Sequence, residues 1–278
     1  MRVVITGAGG QLGRSLQEAF AGRELLPLSH ADLEVSDPSV VGGLIALKPE
    51  LVLHAAAMTD VDGCERDPRR AHEVNGLGTR WVAEACRATS AIMVYFSTDY
   101  VFDGHRQEPY AEEDPPHPIN VYGRTKLEGE VEARSILDPD RLYIVRTAWL
   151  YGPGANNFVE KVLRLAAQRE SISMVTTEVG SPTYTEDLSR AVRRLVEQPQ
   201  YGIYHLTNQG ACSRYEWAAH ILQLVGMVDY PLHPIERYER PAAAPPQVIL
   251  ANTRAAALGI RLRPWRQSLA DYMAHRDG

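Results

Sequence analysis

The chain has 278 residues, of which 45% are hydrophobic and 23% charged, ordinary globular proportions that exclude global disorder and fibrous repeats. Twenty-nine Lys and Arg against 35 Asp and Glu leave a net charge of −6, which favours solubility and argues against a nucleic-acid partner. The longest apolar runs, Leu51–Ala57 and Ala91–Phe96, are far too short to span a bilayer. Three scattered cysteines (Cys64, Cys86, Cys212) make neither a disulfide framework nor a zinc site.

The expected organisation is alternating strand and helix. Arg2–Thr6 is a short β-branched run ending in glycines, and Gln11–Phe20 carries Leu12, Leu16, Ala19 and Phe20 at helical spacing. Glu24–Leu28 reads as a second strand. Pro38–Leu47 reads as a helix with Pro38 at its first position and Asp37 as its cap. Leu51–Ala55 is continuously apolar, as a strand buried on both faces should be. A helix over Asp67–Arg87, a strand over Ala91–Ser97, a helix over Val121–Arg134 and a strand over Leu142–Ala148 continue the rhythm. Strands separated by helices predict an α/β, Rossmann-type, doubly wound parallel sheet. After about Gly152 the rhythm loosens. Asn156–Gln168, Glu186–Glu197, Arg214–Val225 and Trp265–Ala274 read as helices and Tyr201–Leu206 as a strand, while Pro231 to Pro246 shows too little periodicity to assign. The expected division is a dinucleotide-binding domain over 1–151. Residues 152–278 then form mainly a smaller substrate-binding lobe, interleaved with the first. A first strand starting beside Met1 leaves no room for a signal peptide, so the expected compartment is the cytoplasm.

Thr6 to Gly13 reads T-G-A-G-G-Q-L-G. Gly7, Gly10 and Gly13 let the backbone turn tightly and approach a pyrophosphate at a helix N-terminus. The end of the second strand, where an acid would bind the ribose hydroxyls of NAD, carries Ser29 and His30 instead. Arg14 follows the glycines and can pair with phosphate, so the pattern leans towards NADPH. The alternative is that Asp32 or Glu34 takes the ribose or adenine contact and NADH serves equally.

Ser97-Thr98-Asp99 ends the fourth strand, and Tyr122-Gly-Arg-Thr-Lys126 opens the following helix. Residues four apart share a helix face, so the Tyr122 hydroxyl and the Lys126 ammonium can meet at one site. A phenol titrates near pH 10, and a neighbouring ammonium is expected to lower that value. The Thr98 hydroxyl, beyond the carboxyl end of a strand, can hydrogen-bond a substrate carbonyl.

With these motifs in hand, the chain resembles the extended short-chain dehydrogenase/reductases. Within them it is similar to the reductases of dTDP-linked 4-keto sugars. The resemblance runs through Gly7–Gly13, Ala55-Ala-Ala-Met-Thr-Asp-Val-Asp62, Phe96-Ser-Thr-Asp-Tyr-Val-Phe-Asp-Gly104 and Asn120–Lys126. It continues through Arg146-Thr-Ala-Trp-Leu-Tyr-Gly152, Asn156-Asn-Phe158 and Gly180-Ser-Pro-Thr183. It implies that Tyr122 donates the proton, that Lys126 holds the nicotinamide ribose and tunes the tyrosine, and that Thr98 binds the substrate carbonyl with Asp99 beside it. Trp149 would contact the sugar. Gly7, Gly10, Gln11, Leu12 and Gly13 would cradle the cofactor, Ser29, Glu34 and Val35 would border its adenosine, and Ala55, Ala56, Ala57, Met58 and Thr59 would line it. The implied reaction is reduction of dTDP-4-dehydro-L-rhamnose to dTDP-L-rhamnose with NADPH, NADH being the alternative cofactor. A homodimer is a further expectation.

The chain departs from the resemblance at three places. Ser29 stands where some members carry an acid. Arg14-Ser15 stands where some carry a carboxylate in a metal-linked dimer, so no metal is expected. Glu178 stands where a glutamine is usual. Two rival readings use the same fold: a nucleotide-sugar epimerase or dehydratase, and a regulatory subunit like that of methionine adenosyltransferase. Other residues carry weaker signals. Histidine 54, Cys64 and Cys86 read as core residues. Asp60 and Asp62 are candidates for general acid–base work, with a helix-cap role for one of them the alternative. Arg240-Pro241 resembles a segment near the substrate pyrophosphate, and Trp265 is a candidate anchor for the tail helix.

Overall fold

The computed structural model describes residues 1–154 and 157–276. Six strands form the central sheet: β1 (Arg2–Thr6), β2 (Glu24–Leu28), β3 (Leu51–His54), β4 (Ile92–Thr98), β5 (Leu142–Thr147) and, much later in the chain, Gly202–His205. Their order is β2-β1-β3-β4-β5 followed by that late strand, and every pairing is parallel. The order reverses between β1 and β3, which opens a crevice at their carboxyl ends. Pro27 sits in β2, where the edge position spares it a ladder donor.

Helices cover both faces. On one side lie α1 (Gln11–Ala19) and a later helix, Thr185–Val196. Leu12, Leu16 and Phe20 there meet Leu188, Val192 and Leu195 over Val3, Ile5 and Leu53. On the other side lie α2 (Val40–Leu47), the segment Val61–Thr89 and α6 (Val121–Ile136). Val40, Leu44, Val82, Ala83 and Ala133 close over Val4, Val52 and Ile144. The segment is built from α3 (Val61–Arg66), α4 (Pro68–Ala71), a π-helical stretch His72–Leu77 and α5 (Gly78–Thr89). Periodicity marked it as one helix from Asp67. The π stretch widens the turn inside it, and α3 precedes it. Helix α2 starts at Val40 rather than Pro38, because the Asp37 carboxylate accepts from Ser39 N at 2.8 Å and makes a turn first.

The remaining elements are β6 (Leu150–Tyr151), α7 (Phe158–Gln168), β7 (Ile172–Val175), β8 (Val179–Gly180), β9 (Thr183–Tyr184), α8 (Thr185–Val196), β10 (Gly202–His205), β11 (Cys212–Ser213), α9 (Arg214–Leu224), β12 (Leu232–Ile235), α10 (Thr253–Ala257) and α11 (Trp265–His275). The expected start of α7 at Asn156 lies outside the described residues. Asn157 caps the helix by accepting from Glu160 N at 3.0 Å. The unassigned proline-rich stretch holds β12, which pairs with β7. A third core surrounds Trp217, fully buried among Tyr151, Val162, Trp265 and Tyr272. No helix among the described residues is long and apolar enough to cross a membrane.

Candidate active site

The turn between β1 and α1 is shaped by two glycines without room for a side chain. Gly7 has φ +68° and a Cβ there would lie 2.7 Å from Ala56 N; one on Gly13 would lie 2.3 Å from Gly7 O. Gly10 caps α1 with no side-chain partner for the first amides, so the helix N-terminus points its N–H groups outward. A crevice of about 700 Å³ begins at this turn. It runs from Glu34 and Arg70, past Ala55–Thr59, to Thr98, Tyr122, Lys126 and Trp149.

All the sequence-predicted site residues line this crevice except Ser29. Ser29 stands behind the turn, where its amide and hydroxyl both donate to Asp32 Oδ2, at 2.8 and 2.6 Å. Arg14 is not a lining residue either; its Nε donates to Gly9 O at 3.2 Å. The cation at this end is Arg70, whose Nη2 is 3.0 Å from Glu34 Oε2. Spacing gave no hint of Arg70, which reaches the crevice from α4.

Residues Ala55–Thr59 are held by Asn75, which lies in the π stretch. Its Oδ1 accepts from Met58 N at 2.9 Å; its Nδ2 donates to Met58 O and Thr125 Oγ1, both at 3.1 Å. Sequence reading missed Asn75, because a π turn leaves no period to recognise. His54 is a core residue. Its ring nitrogens meet Thr6 Oγ1 at 2.7 Å and Thr79 Oγ1 at 3.3 Å, and burial beside Lys126 lowers its pKa to about 3.

Helix α6 delivers Tyr122 and Lys126. Asn120 caps it by accepting from Gly123 N at 2.8 Å. A Cβ on Gly123 would lie 2.1 Å from Tyr100 O, so this glycine lets the helix lie against the end of β4. Lys126 is buried; its Nζ lies 4.2 Å from the Tyr95 ring centre, and burial lowers its pKa to about 7 against the raising effect of Glu130. The Glu130 carboxylate is itself taken by Arg146, at 2.9 and 2.7 Å, a buried bidentate pair that fixes α6 to β5.

Tyr122 differs from expectation. Burial pushes its pKa up, with Asp99 and Tyr100 adding to the rise, while a hydrogen bond with Thr98 draws it down. The expected downward shift is therefore reversed: desolvation is the largest cause, and the lowering comes from the Thr98 hydrogen bond. The Thr98 hydroxyl donates to Asp99 Oδ1 at 3.0 Å and accepts from Tyr100 N at 3.2 Å. Asp99 is buried with them, and desolvation lifts its pKa to about 7. Thr98, Asp99 and Tyr122 therefore form one cluster at the carboxyl end of β4, where burial favours the protonated form of both acids.

Trp149 projects from the turn after β5 with φ +48°, a left-handed conformation that costs a non-glycine residue energy. Arg214 lies over its ring, and Trp217 stacks beside it at 5.6 Å. Arg240 does not line the crevice; its Nε donates to Asp62 Oδ1 at 3.0 Å, tying the proline-rich stretch to α3. Asp60 stands at the start of α3 but makes no side-chain cap bond. Trp265 is buried at the start of α11 as an anchor of the tail.

A glycine-turn crevice leading to Thr98, Tyr122 and Lys126 defines an extended short-chain dehydrogenase/reductase. Within that class, the chain belongs to the RmlD substrate binding domain family, whose model matches residues 1–277. It is 41% identical over 281 residues to dTDP-4-dehydrorhamnose reductase of Mycolicibacterium smegmatis, covering 98% of this chain and 85% of that one. It is 39% identical over 279 residues to the spore coat polysaccharide biosynthesis protein SpsK of Bacillus subtilis, covering 99% and 98%. Among solved structures, dTDP-4-dehydrorhamnose reductase of Bacillus anthracis in complex with NADP superposes with a TM-score of 0.94 at 37% identity, covering 98% of each chain.

Proposed function

We infer that this protein is an NADPH-dependent oxidoreductase that reduces the 4-keto group of a dTDP-linked deoxysugar, turning dTDP-4-dehydro-L-rhamnose into dTDP-L-rhamnose. The observation that carries the reading is the placement of Thr98, Tyr122 and Lys126 along the same crevice as the glycine turn. The relatives named as dTDP-4-dehydrorhamnose reductases, one of them bound to NADP, point the same way.

The residues fit the cofactor. The glycine turn leaves backbone amides where a pyrophosphate binds, and side chains at Gly7 or Gly13 would collide with backbone. Gly10, Gln11 and Leu12 would complete that cradle. Glu34, Val35 and Arg70 would flank the adenosine, Ala55–Thr59 would line the cofactor's length, and Lys126 would hold the ribose hydroxyls. When bound, NADPH supplies the hydride that reduces the keto carbon. Tyr122 gives its phenolic proton to the carbonyl oxygen, so that C=O becomes CH–OH. Its raised pKa keeps that proton in place until the oxygen becomes basic. Thr98 orients the carbonyl, and Asp99, bonded to Thr98, fixes the direction of that hydroxyl. Trp149 offers the sugar a flat apolar face.

The test is NADPH consumption with dTDP-4-dehydro-L-rhamnose, followed by its absorbance band. One NADPH should disappear per sugar reduced. An epimerase would recycle its cofactor and consume none, and a regulatory subunit would turn over no keto sugar. Tyr122→Phe should lower kcat by about 10²–10⁴-fold, the usual value of a positioned proton donor, with the Kd for NADPH unchanged. Wild-type turnover in that variant would remove Tyr122 as the donor.

Residues 1–151 are read as the cofactor-binding unit and 152–278 mainly as the substrate lobe. The position of β10 in the main sheet supports their interleaving. The remaining readings are a cytoplasmic location, no nucleic-acid or membrane partner, and a homodimer; light scattering tests the last.

A further inference from the structure

Among the described residues, three Lys or Arg side chains line the crevice: Arg70, Lys126 and Arg214. Arg70 is engaged by Glu34, and Lys126 is buried against Tyr95. Arg214 stands at the other end, close enough for its charge to act on Asp99 and Tyr100. It opens α9, and its guanidinium carbon lies 3.5 Å from the centre of the Trp149 ring, the separation of a planar cation stacked on an indole. A Cβ on Gly180 would be 2.5 Å from Trp149 Cε2 and 2.8 Å from both flanking atoms, so the glycine backbone lies flat against the ring. Trp149 and Arg214 line the crevice and Gly180 does not. The Arg214 guanidinium carbon also lies 5.1 Å from the Phe158 ring centre and 5.7 Å from that of Trp217, so Arg214 reaches the crevice from an aromatic cluster.

A second residue sits beside it. The antiparallel pairing of β8 with β11 matches Val179 with Ser213, and Arg214 N donates to Glu178 O at 3.2 Å. The Glu178 carboxylate is 3.6 Å from Arg214 Nε, too far for a hydrogen bond. Glu178 thus offsets the charge of Arg214 without clamping its planar fork.

We propose that Arg214 takes the diphosphate of the nucleotide-linked sugar and that Glu178 competes with the diphosphate for it. This rests on the functional reading given above. A diphosphate brings two negative charges to an end of the crevice where the Asp99 carboxyl already stands. A guanidinium there is suited to meet phosphate oxygens in pairs.

The experiment is calorimetric titration of dTDP, and separately of thymidine, into the NADPH-loaded wild type, Arg214→Ala and Glu178→Gln. Arg214→Ala should weaken dTDP at least about tenfold, as expected for a lost charge-assisted contact, and leave thymidine unchanged. Glu178→Gln should tighten dTDP by about two- to fivefold, the scale of a partly screened ion pair. A purely structural role for the pair would make that variant bind more weakly. The proposal is overturned if Arg214→Ala binds dTDP as the wild type does, or loses thymidine by the same factor. It is equally overturned if Glu178→Gln leaves dTDP affinity unchanged or lowers it, and this arm decides alone should Arg214→Ala not fold. A wild type that reduces the keto sugar while Arg214→Ala keeps its dTDP affinity sinks this proposal only. A wild type that neither binds dTDP nor consumes NADPH sinks the functional reading as well.

Discussion

Lys126 shows how burial sets the working state of a residue whose identity is plain in the sequence. Its ammonium has lost most of its water and faces an aromatic ring, and its pKa falls from 10.5 to about 7. An unfolded chain keeps a lysine protonated to about pH 10. Between about pH 7 and 10 the unfolded state therefore binds more protons than the folded one, and stability contributed by this group rises with pH. Below about pH 7 both states hold the proton and the dependence vanishes. The Tm difference between wild type and Lys126→Met should accordingly grow in favour of wild type from pH 7 to pH 9. A flat difference would place the lysine in water. Activity should move the other way: kcat/KM for NADPH, which reports the free enzyme, should fall as the pH rises through about 7 and the Lys126 ammonium, proposed to hold the ribose, loses its charge. Tyr122 and Lys126 were legible because four-residue spacing on a helix is a local property. The direction of the Tyr122 shift was not, since it depends on what the fold buries around the phenol.

At the scale of elements, the helix between β3 and β4 carries a function that its pattern hides. Apolar spacing located the helix, but the π stretch His72–Leu77 shifts the phase so that Asn75 faces the loop after β3. That side chain satisfies both the N–H and the C=O of Met58 in a loop lining the crevice. Asn75→Ala removes both bonds from a half-buried loop and should cost about 1–3 kcal/mol, the net worth of two hydrogen bonds. It should also weaken NADPH binding, because the loop loses its tether. Thermal unfolding and NADPH titration read the two effects. A lowered Tm with unchanged NADPH affinity would make Asn75 a stability residue only. The short strands β6, β8, β9 and β11 were missed for a related reason. Two residues each carry no alternation, and their pairing comes from distant partners.

For the molecule as a whole, the two halves share a core. β10 completes the sheet beside β5, and α8 covers α1, so Leu188, Val192, Leu195, Tyr204 and Leu206 close over Val3, Ile5 and Leu16. A fragment comprising residues 1–151 would expose that face and leave β5 as an open edge. It should fail to unfold cooperatively and should bind an exposed-apolar-surface dye, whereas the full chain should show one sharp transition. Cooperative unfolding of the fragment would make the first half an independent domain.

The sequence by itself determined the alternation of strand and helix, the glycine turn, and the set Thr98, Tyr122 and Lys126, since propensity, apolar period and helix spacing act over a few residues. Tertiary structure alone decided that Ser29 and Arg14 stand aside from the crevice while Arg70 lines it, and that Arg240 pairs with Asp62. It also decided that Arg214 covers Trp149. Each of these depends on which distant segments the packed core brings together, and burial then sets the charge that each group carries.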